Sequence, residues 1–345
     1  MGDGVPGSFD ARSTGAGRPP EGGGHVLAQS LEPVLRSVSE GRLGPIEWFQ
    51  SHHQRGGSAT GFATWRTDDA GVVDAMVKLP VGPVEHRWTC ALGSVEPGQW
   101  LARWALAKPT PRVLASGTTL GGYDLAWLVV ERLHGPALAN DRMDEQAALD
   151  LLRAAADFQA DAIRAAPLGP GPAPPDWERL LERSRELCRA GGVPDAQRWN
   201  EQIKTVQRAL PVLRRRWETR PINAWCHGDL HPGNALRRTG PDGTNVCVLV
   251  DLALVHAGHW VEDALYLERQ FWGHEKMLGL KPVPTLARLR RERGLPADDA
   301  YGDLALVRRV LAAACAPALS EREGNAKYLR AAMEVIGRCL PQAVK

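Results

Sequence analysis

From residue 26 the apolar positions of VLAQSLEPVLRSVS recur at three- and four-residue spacing, which predicts a short helix over 26–39 ended by Gly41 and Gly44. The period then changes. Residues 46–66 predict two strands joined around a glycine-rich turn, Gly56 to Gly61, and the β-branched run Val72–Leu79 predicts a third. Helical spacing returns over 85–106, broken by Pro97-Gly98, and strand patterns follow in PRVLASG and in DLAWLVVERL. The first part of the chain therefore reads β-β-β-α-β-β, a small antiparallel sheet with one helix.

The second part changes character. From Asp144, DEQAALDLLRAAADFQADAIRAA predicts a long amphipathic helix with an acidic start. A Pro/Gly linker at 167–175 leads to helices over about 176–218, and helical spacing resumes after 260. One hairpin interrupts this half: NALRR, a turn at Gly240-Pro241-Asp242-Gly243, and Val246–Asp251, apolar on both faces and so expected to be buried.

Composition narrows the class. Of 345 residues, 43% are hydrophobic and 24% charged, and no apolar run approaches a membrane span, so no membrane partner is expected. The Gly- and Pro-rich residues 1–25 lack a signal peptide's apolar stretch and read as a disordered tail, which points to the cytoplasm. Six cysteines with no C-x-x-C pair read as reduced, mostly buried thiols. A net charge of +2 without a basic block gives no nucleic-acid surface, leaving a small molecule as the expected partner.

The densest chemistry is WCHGDLHPGN, Trp225–Asn234. His227-x-Asp229-x-His231 offers metal-ligand types, but a dinuclear phosphoesterase needs an early Asp-x-His and a later Asn-His, and neither is present. Phosphoryl transfer from ATP asks instead for a carboxylate at the attacking hydroxyl, oxygen ligands for Mg²⁺, a cation on the phosphates and a backbone cradle. Asp229 and Asn234 lie five apart on a turn tightened by Gly228, Pro232 and Gly233, and Asp251 ends the hairpin 22 residues after Asp229. One carboxylate can serve as base while Asn234 and Asp251 hold the metal.

HGDLHPGN followed by an apolar strand and VDLALVHAGHWVEDALYLE resembles the aminoglycoside phosphotransferase and choline kinase group. The resemblance runs in element order from about residue 46 to the end. It implies an α+β, two-lobed protein-kinase-like fold: a nucleotide-binding lobe over 26–134, with a small antiparallel β-sheet, and a larger, mainly helical lobe over 135–345 holding the catalytic loop and acceptor site. It implies ATP and Mg²⁺ as cofactors, Asp229 as catalytic base, Asn234 and Asp251 as metal ligands, and Asp263 as a support for the loops. His227 is implied as a packing and hydrogen-bonding residue, with no assured role for His231. Leu252 stands where phenylalanine or tryptophan is frequent.

The nucleotide site is read onto the first lobe. Lys78, one of two lysines in the first 200 residues, lies where this fold places its phosphate-binding lysine. Its partner is Glu85 or Glu96, with Glu85 preferred. Gly57 and Ser58 in the glycine turn are a candidate phosphate cover, and the backbone of Glu131 and Leu133 in WLVVERLHG is a candidate adenine hinge. The Walker pattern is absent.

The acceptor is less legible. Glu262, Glu268, Glu275, Asp298, Asp299 and Asp303 suit a cationic aminoglycoside, and Trp225, Trp260, Phe271 and Trp272 suit a wall for choline-like, macrolide or sugar acceptors. Solvated helix faces and core packing account for the same residues. The leading expectation is a small-molecule kinase of aminoglycoside-phosphotransferase type, acting on a hydroxyl, with an antibiotic as one expected acceptor and resistance as the role that follows. The alternatives are a kinase of a metabolite such as choline, an amino alcohol or a sugar, and a catalytically silent kinase-fold binding protein.

Overall fold

The computed structural model describes residues 23–49, 58–68, 71–96, 99, 103–135, 137–138, 143–240, 243–319 and 325–345. The tail expected over 1–25 lies outside the described residues as far as residue 22, as does Gly57. Two compact units emerge. One comprises Leu138–Gly233 and His256–Lys345; the other comprises the described part of Ser13–Ala137 together with Asn234–Val255.

The second unit is built on a five-stranded antiparallel sheet in the order β1-β2-β3-β5-β4: β1 Glu47–Phe49, β2 Ala59–Arg66, β3 Val72–Leu79, β4 Val113–Gly117 and β5 Trp127–Glu131. Side chains alternate along β3. Ala75, Val77 and Leu79 join the core with Ala28, Leu31 and Leu35 of helix α1 (Gly23–Val38). Met76 turns to the opposite face, against Val81, Leu128, Val130 and Cys90 of helix α2 (Pro83–Gly93). The period of two gives Lys78 that second face as well. Gly61 lies within β2, paired with Trp48 and Val77, and not in the turn; a Cβ there would meet Ile46 Cγ2 at 2.4 Å. The short α3 (Arg103–Leu106) precedes β4.

The hairpin β7 (Ala235–Thr239) and β8 (Asn245–Leu249) belongs to this unit, although sequence order sets it among the helices. Leu249 N–H donates to the Pro109 carbonyl at 2.7 Å, and Val250 N–H to the Asn234 carbonyl at 2.9 Å. Along β8 burial is confined to one end: Cys247, Val248 and Leu249 are buried, but Asn245 is exposed. The expected burial therefore holds for the end that carries Asp251.

The first unit is helical. Helix α4 (Glu145–Ala165) starts where its acidic cap predicts, with Asp144 accepting from Ala147 N–H at 2.8 Å. Helices α5 (Trp177–Arg189), α6 (Ala196–Glu218), α9 (Tyr301–Ala314) and α10 (Ala326–Ala343) share a core containing Trp199, Ile203, Val310 and Ile336. Strands β6 (Ala224–Cys226) and β9 (His256–Gly258) form a small antiparallel pair leading into α7 (Val261–Gln270), which α8 (Pro282–Glu292) follows. A small antiparallel-sheet lobe and a larger helical lobe make this the two-lobed α+β fold that the resemblance implies.

No described helix is long and apolar enough to cross a membrane. All six cysteines are free, five of them buried. Burial pushes the Cys188 thiol up to about 11 and Cys315 up to about 12, which keeps both protonated and unreactive at neutral pH.

Candidate functional site

The candidate catalytic loop of the helical unit is shaped by one buried carboxylate. Asp263, fully buried on α7, accepts the backbone N–H of His227 at 3.0 Å and of Gly228 at 3.1 Å. It also accepts Gln159 Nε2 of α4 at 2.8 Å, and Gln159 Oε1 in turn accepts Arg290 Nη1 of α8 at 2.5 Å. Gly228 occupies the left-handed region at φ +82°, which favours glycine, so the chain can turn immediately before Asp229.

The two histidines tighten the same turn. His227 Nδ1 accepts Asp229 N–H at 3.3 Å, while its ring lies 5.9 Å from Phe158. His231 Nδ1 accepts Gly233 N–H at 3.0 Å, and its Nε2 lies 3.6 Å from Asp229 Oδ2. These bonds organise a loop; they do not form a metal cage. Asp229 is buried, which works to raise its pKa, but hydrogen bonding and charge from His231, a hydrogen bond from Tyr266 and the charge of His227 outweigh this and hold it below the ordinary aspartate value. Asp229 is therefore ionised at neutral pH and can accept a proton in hydrogen-bond reach.

The remaining candidates lie in the sheet unit. Lys78 Nζ forms a short ion pair with Glu85 Oε1 of α2. Burial acts to lower the Lys78 pKa, but Glu85 and Asp251 overcome it and raise it, so lysine keeps its charge. Glu96 has no such link; the Gln99 N–H donates to its carbonyl at 3.1 Å. Asp251 is exposed and lies in the left-handed region at φ +61°, a conformation that aspartate tolerates better than most residues but at a cost of order 1 kcal/mol. Asn234 is buried, and its carbonyl ties it to Val250, one residue before Asp251. Ser58 immediately precedes β2.

At the candidate hinge segment the structure adds a cluster that sequence reading missed. Glu131 is buried, and its carboxylate receives Arg112 Nε at 2.8 Å and Arg238 Nε at 3.1 Å. Arg238 also donates to the carbonyls of Leu106, Lys108 and Thr110 at 2.9, 2.7 and 2.9 Å. Burial opposes ionisation of Glu131, but the two arginines win and lower its pKa. Glu131 N–H donates to the Arg112 carbonyl at 2.9 Å, so that N–H is committed within the sheet.

Among the described residues, one set of metal-ligand types does converge elsewhere: Cys226, His256 and Glu262 in the helical unit. Thiol and imidazole are soft to borderline ligands, suited to zinc more than to magnesium, and Glu262 already accepts Arg220 Nε at 3.2 Å and His259 N–H at 2.9 Å. It includes neither Asn234 nor Asp251.

The acceptor candidates fare differently. Trp225, Trp260, Phe271 and Trp272 are all buried, with Trp272 stacked on Tyr328 and Trp260 against Tyr301, so they are core residues and not an open wall. Among the acids, Glu268 is held by Arg309 at 2.6 and 2.7 Å, Glu275 accepts Gly273 N–H at 3.0 Å, Asp298 accepts His259 Nε2 at 2.8 Å, and Asp303 lies 3.5 Å from Arg216. Glu262 is engaged as above, leaving Asp299 exposed.

With this geometry in place, a family model described as the phosphotransferase enzyme family matches residues 98–280, more than half of the chain. The chain belongs to this family. No curated protein sequence matches it. Among solved structures, this phosphotransferase-family chain is similar to the microcompartment-associated aminopropanol kinase, at 14% identity over 92% of this chain and 99% of that one, with a TM-score of 0.52. It is also similar to spectinomycin phosphotransferase in complex with ADP and spectinomycin, at 11% identity over 90% and 98% of the two chains, with a TM-score of 0.50. At these identities the likeness establishes the protein-kinase-like fold.

Proposed function

We propose that the protein is an ATP- and Mg²⁺-dependent kinase that transfers the γ-phosphoryl group to a hydroxyl of a small molecule. The observation that carries this reading is the loop geometry of Asp229: an ionised carboxylate fixed by His227, His231 and, through Asp263, by the loop backbone. A base in this state aligns a hydroxyl and takes its proton as the bond to phosphorus forms. Lys78, kept charged and oriented by Glu85, counters phosphate charge. The Glu131 carbonyl and the Leu133 backbone are assigned to the adenine edge, and Ser58, with Gly57, to the phosphate cover.

Asn234 and Asp251 fit a hard divalent cation: an amide oxygen and an exposed carboxylate, with the backbones of Asn234 and Val250 bonded together. Mg²⁺, when bound there, neutralises charge on the transferring phosphates. Asp251 also contributes to the charge on Lys78, so one aspartate supports both cation and lysine.

The engaged carboxylates bear on the acceptor. A polycationic aminoglycoside needs unpaired acids, and those of α7 and α9 are largely matched by arginines or backbone N–H groups, which favours a metabolite such as an amino alcohol or a sugar over an aminoglycoside. The test is acceptor-dependent ADP release by purified protein with aminoglycosides, macrolides, choline, amino alcohols and sugars, with and without Mg²⁺. Release that requires both Mg²⁺ and an acceptor supports the reading; no Mg²⁺-dependent ATP binding or turnover under any condition defeats it.

A further inference from the structure

In the helical unit, Arg308 lies within electrostatic reach of Arg220 and Arg269, and Glu262 is the carboxylate that offsets it. Glu262 directs its oxygens elsewhere: to Arg220 Nε at 3.2 Å, His259 N–H at 2.9 Å and His256 Nε2 at 3.5 Å. Among the described residues Arg308 makes no hydrogen bond or ion pair. Its guanidinium carbon instead lies 5.1 Å from the Trp177 ring centre and 5.2 Å from that of Trp217, with Arg220 also 4.3 Å over Trp217. Both indoles are buried, and Arg308 is only partly exposed.

Aromatic faces attract a cation but leave the in-plane N–H donors of a guanidinium unmatched. Packed against two indoles, the side chain has little freedom, so its fork of donors is restrained. That fork matches carboxylate and phosphate oxygens two at a time. We propose that Arg308, supported by Arg220 and Arg269, is a receptor for an oxyanion group, a phosphate or a carboxylate. Burial, with the charges of Arg269 and Arg220, lowers the Arg308 pKa, and a bound anion would relieve that strain. The site connects to the catalytic loop through α7: the Arg269 guanidinium lies 4.5 Å over the Tyr266 ring, and Tyr266 hydrogen-bonds Asp229. The oxyanion is either a free anion or the charged end of the phosphoryl acceptor, and only the second source rests on the kinase reading.

The experiment titrates the full-length protein with inorganic phosphate and with acetate at constant ionic strength, following thermal stability and calorimetric binding. It is repeated in Lys78→Met, which removes phosphate binding near the proposed nucleotide lysine, and in Arg308→Met and Arg308→Lys. The expected result is saturable binding of at least one of the two anions that survives Lys78→Met, weakens about tenfold or more in Arg308→Met and is partly kept in Arg308→Lys. Absence of binding in the unmodified protein, or binding in both Arg308 variants as tight as in the unmodified protein, overturns the proposal; the first of these holds even where a variant does not fold. A second arm compares hydroxy acids and sugar phosphates with their uncharged counterparts in ADP release. An Arg308-dependent preference for the charged acceptors identifies the acceptor as the source, and anion binding without that preference identifies a free anion. Anion binding in a protein without ATP turnover sinks the kinase reading and leaves this site standing; Asp229-dependent turnover without anion binding does the reverse.

Discussion

The two units hold their chemical groups by different means. In the sheet unit the candidate groups are held by other charges: Lys78 by Glu85 and Asp251, and Glu131 by Arg112 and Arg238. In the helical unit a fully buried carboxylate, Asp263, holds the backbone, and the backbone presents Asp229. A charge pair can lose one member and leave the fold intact where the survivor can neutralise itself. A carboxylate that satisfies buried N–H groups has no such escape.

The largest expected effect is on chemistry. Asp229→Asn removes the proton acceptor while keeping the shape, and turnover should fall by a factor of order 10²–10⁴ in steady-state ADP release. Asp263→Ala should then cost about 3–5 kcal/mol in denaturant melts, because two N–H groups of the loop and Gln159 lose their partner together. A loss below 1 kcal/mol would erase the distinction between the units.

Acid titration probes Glu262, whose carboxyl is buried yet, with His256, Arg220 and Arg308 outweighing burial, held down to about 2. A depressed folded value means that its contribution is fully present above the ordinary glutamate range, near pH 4.5, and is lost as pH falls toward 2. The loss should approach about 3 kcal/mol and be absent from Glu262→Gln.

Lys78→Met should cost only about 1–2 kcal/mol of stability while weakening ATP binding, since burial and Asp251 already push the Glu85 pKa upward against the pull of Lys78, and the abandoned carboxyl can take up a proton. Nucleotide affinity by calorimetry and a melting curve separate the two effects. Smallest is Asp144→Ala, which removes the α4 cap for about 1 kcal/mol, visible as a shifted melting midpoint with unchanged catalysis.

The two regions also differ in legibility. Apolar spacing locates α4 to within a residue because Asp144 caps it, and the alternation in Val72–Leu79 puts Lys78 on the face opposite Val77. Gly61 misleads because a glycine needed for close packing against Ile46 looks the same in sequence as one needed for a turn. The pairing of the carboxylates of α7 and α9 is hidden for a related reason: Glu268 is 41 residues from Arg309, and nothing local reveals that contact. Arg238 and Glu131, 107 residues apart, form a buried pair for which the only local hint is an arginine in a short strand. Local rules govern caps and alternation; long-range charge pairing depends on the finished fold.

The central claim is that Asp229 serves the chemistry while the charges of the sheet unit serve the nucleotide. It is tested most directly by measuring ATP affinity in the presence of Mg²⁺ alongside kcat for Asp229→Asn. The account predicts a kcat lowered by a factor of order 10²–10⁴ with ATP affinity changed less than about threefold. Retained kcat, or a loss of ATP affinity that accounts for all the lost activity, would contradict it.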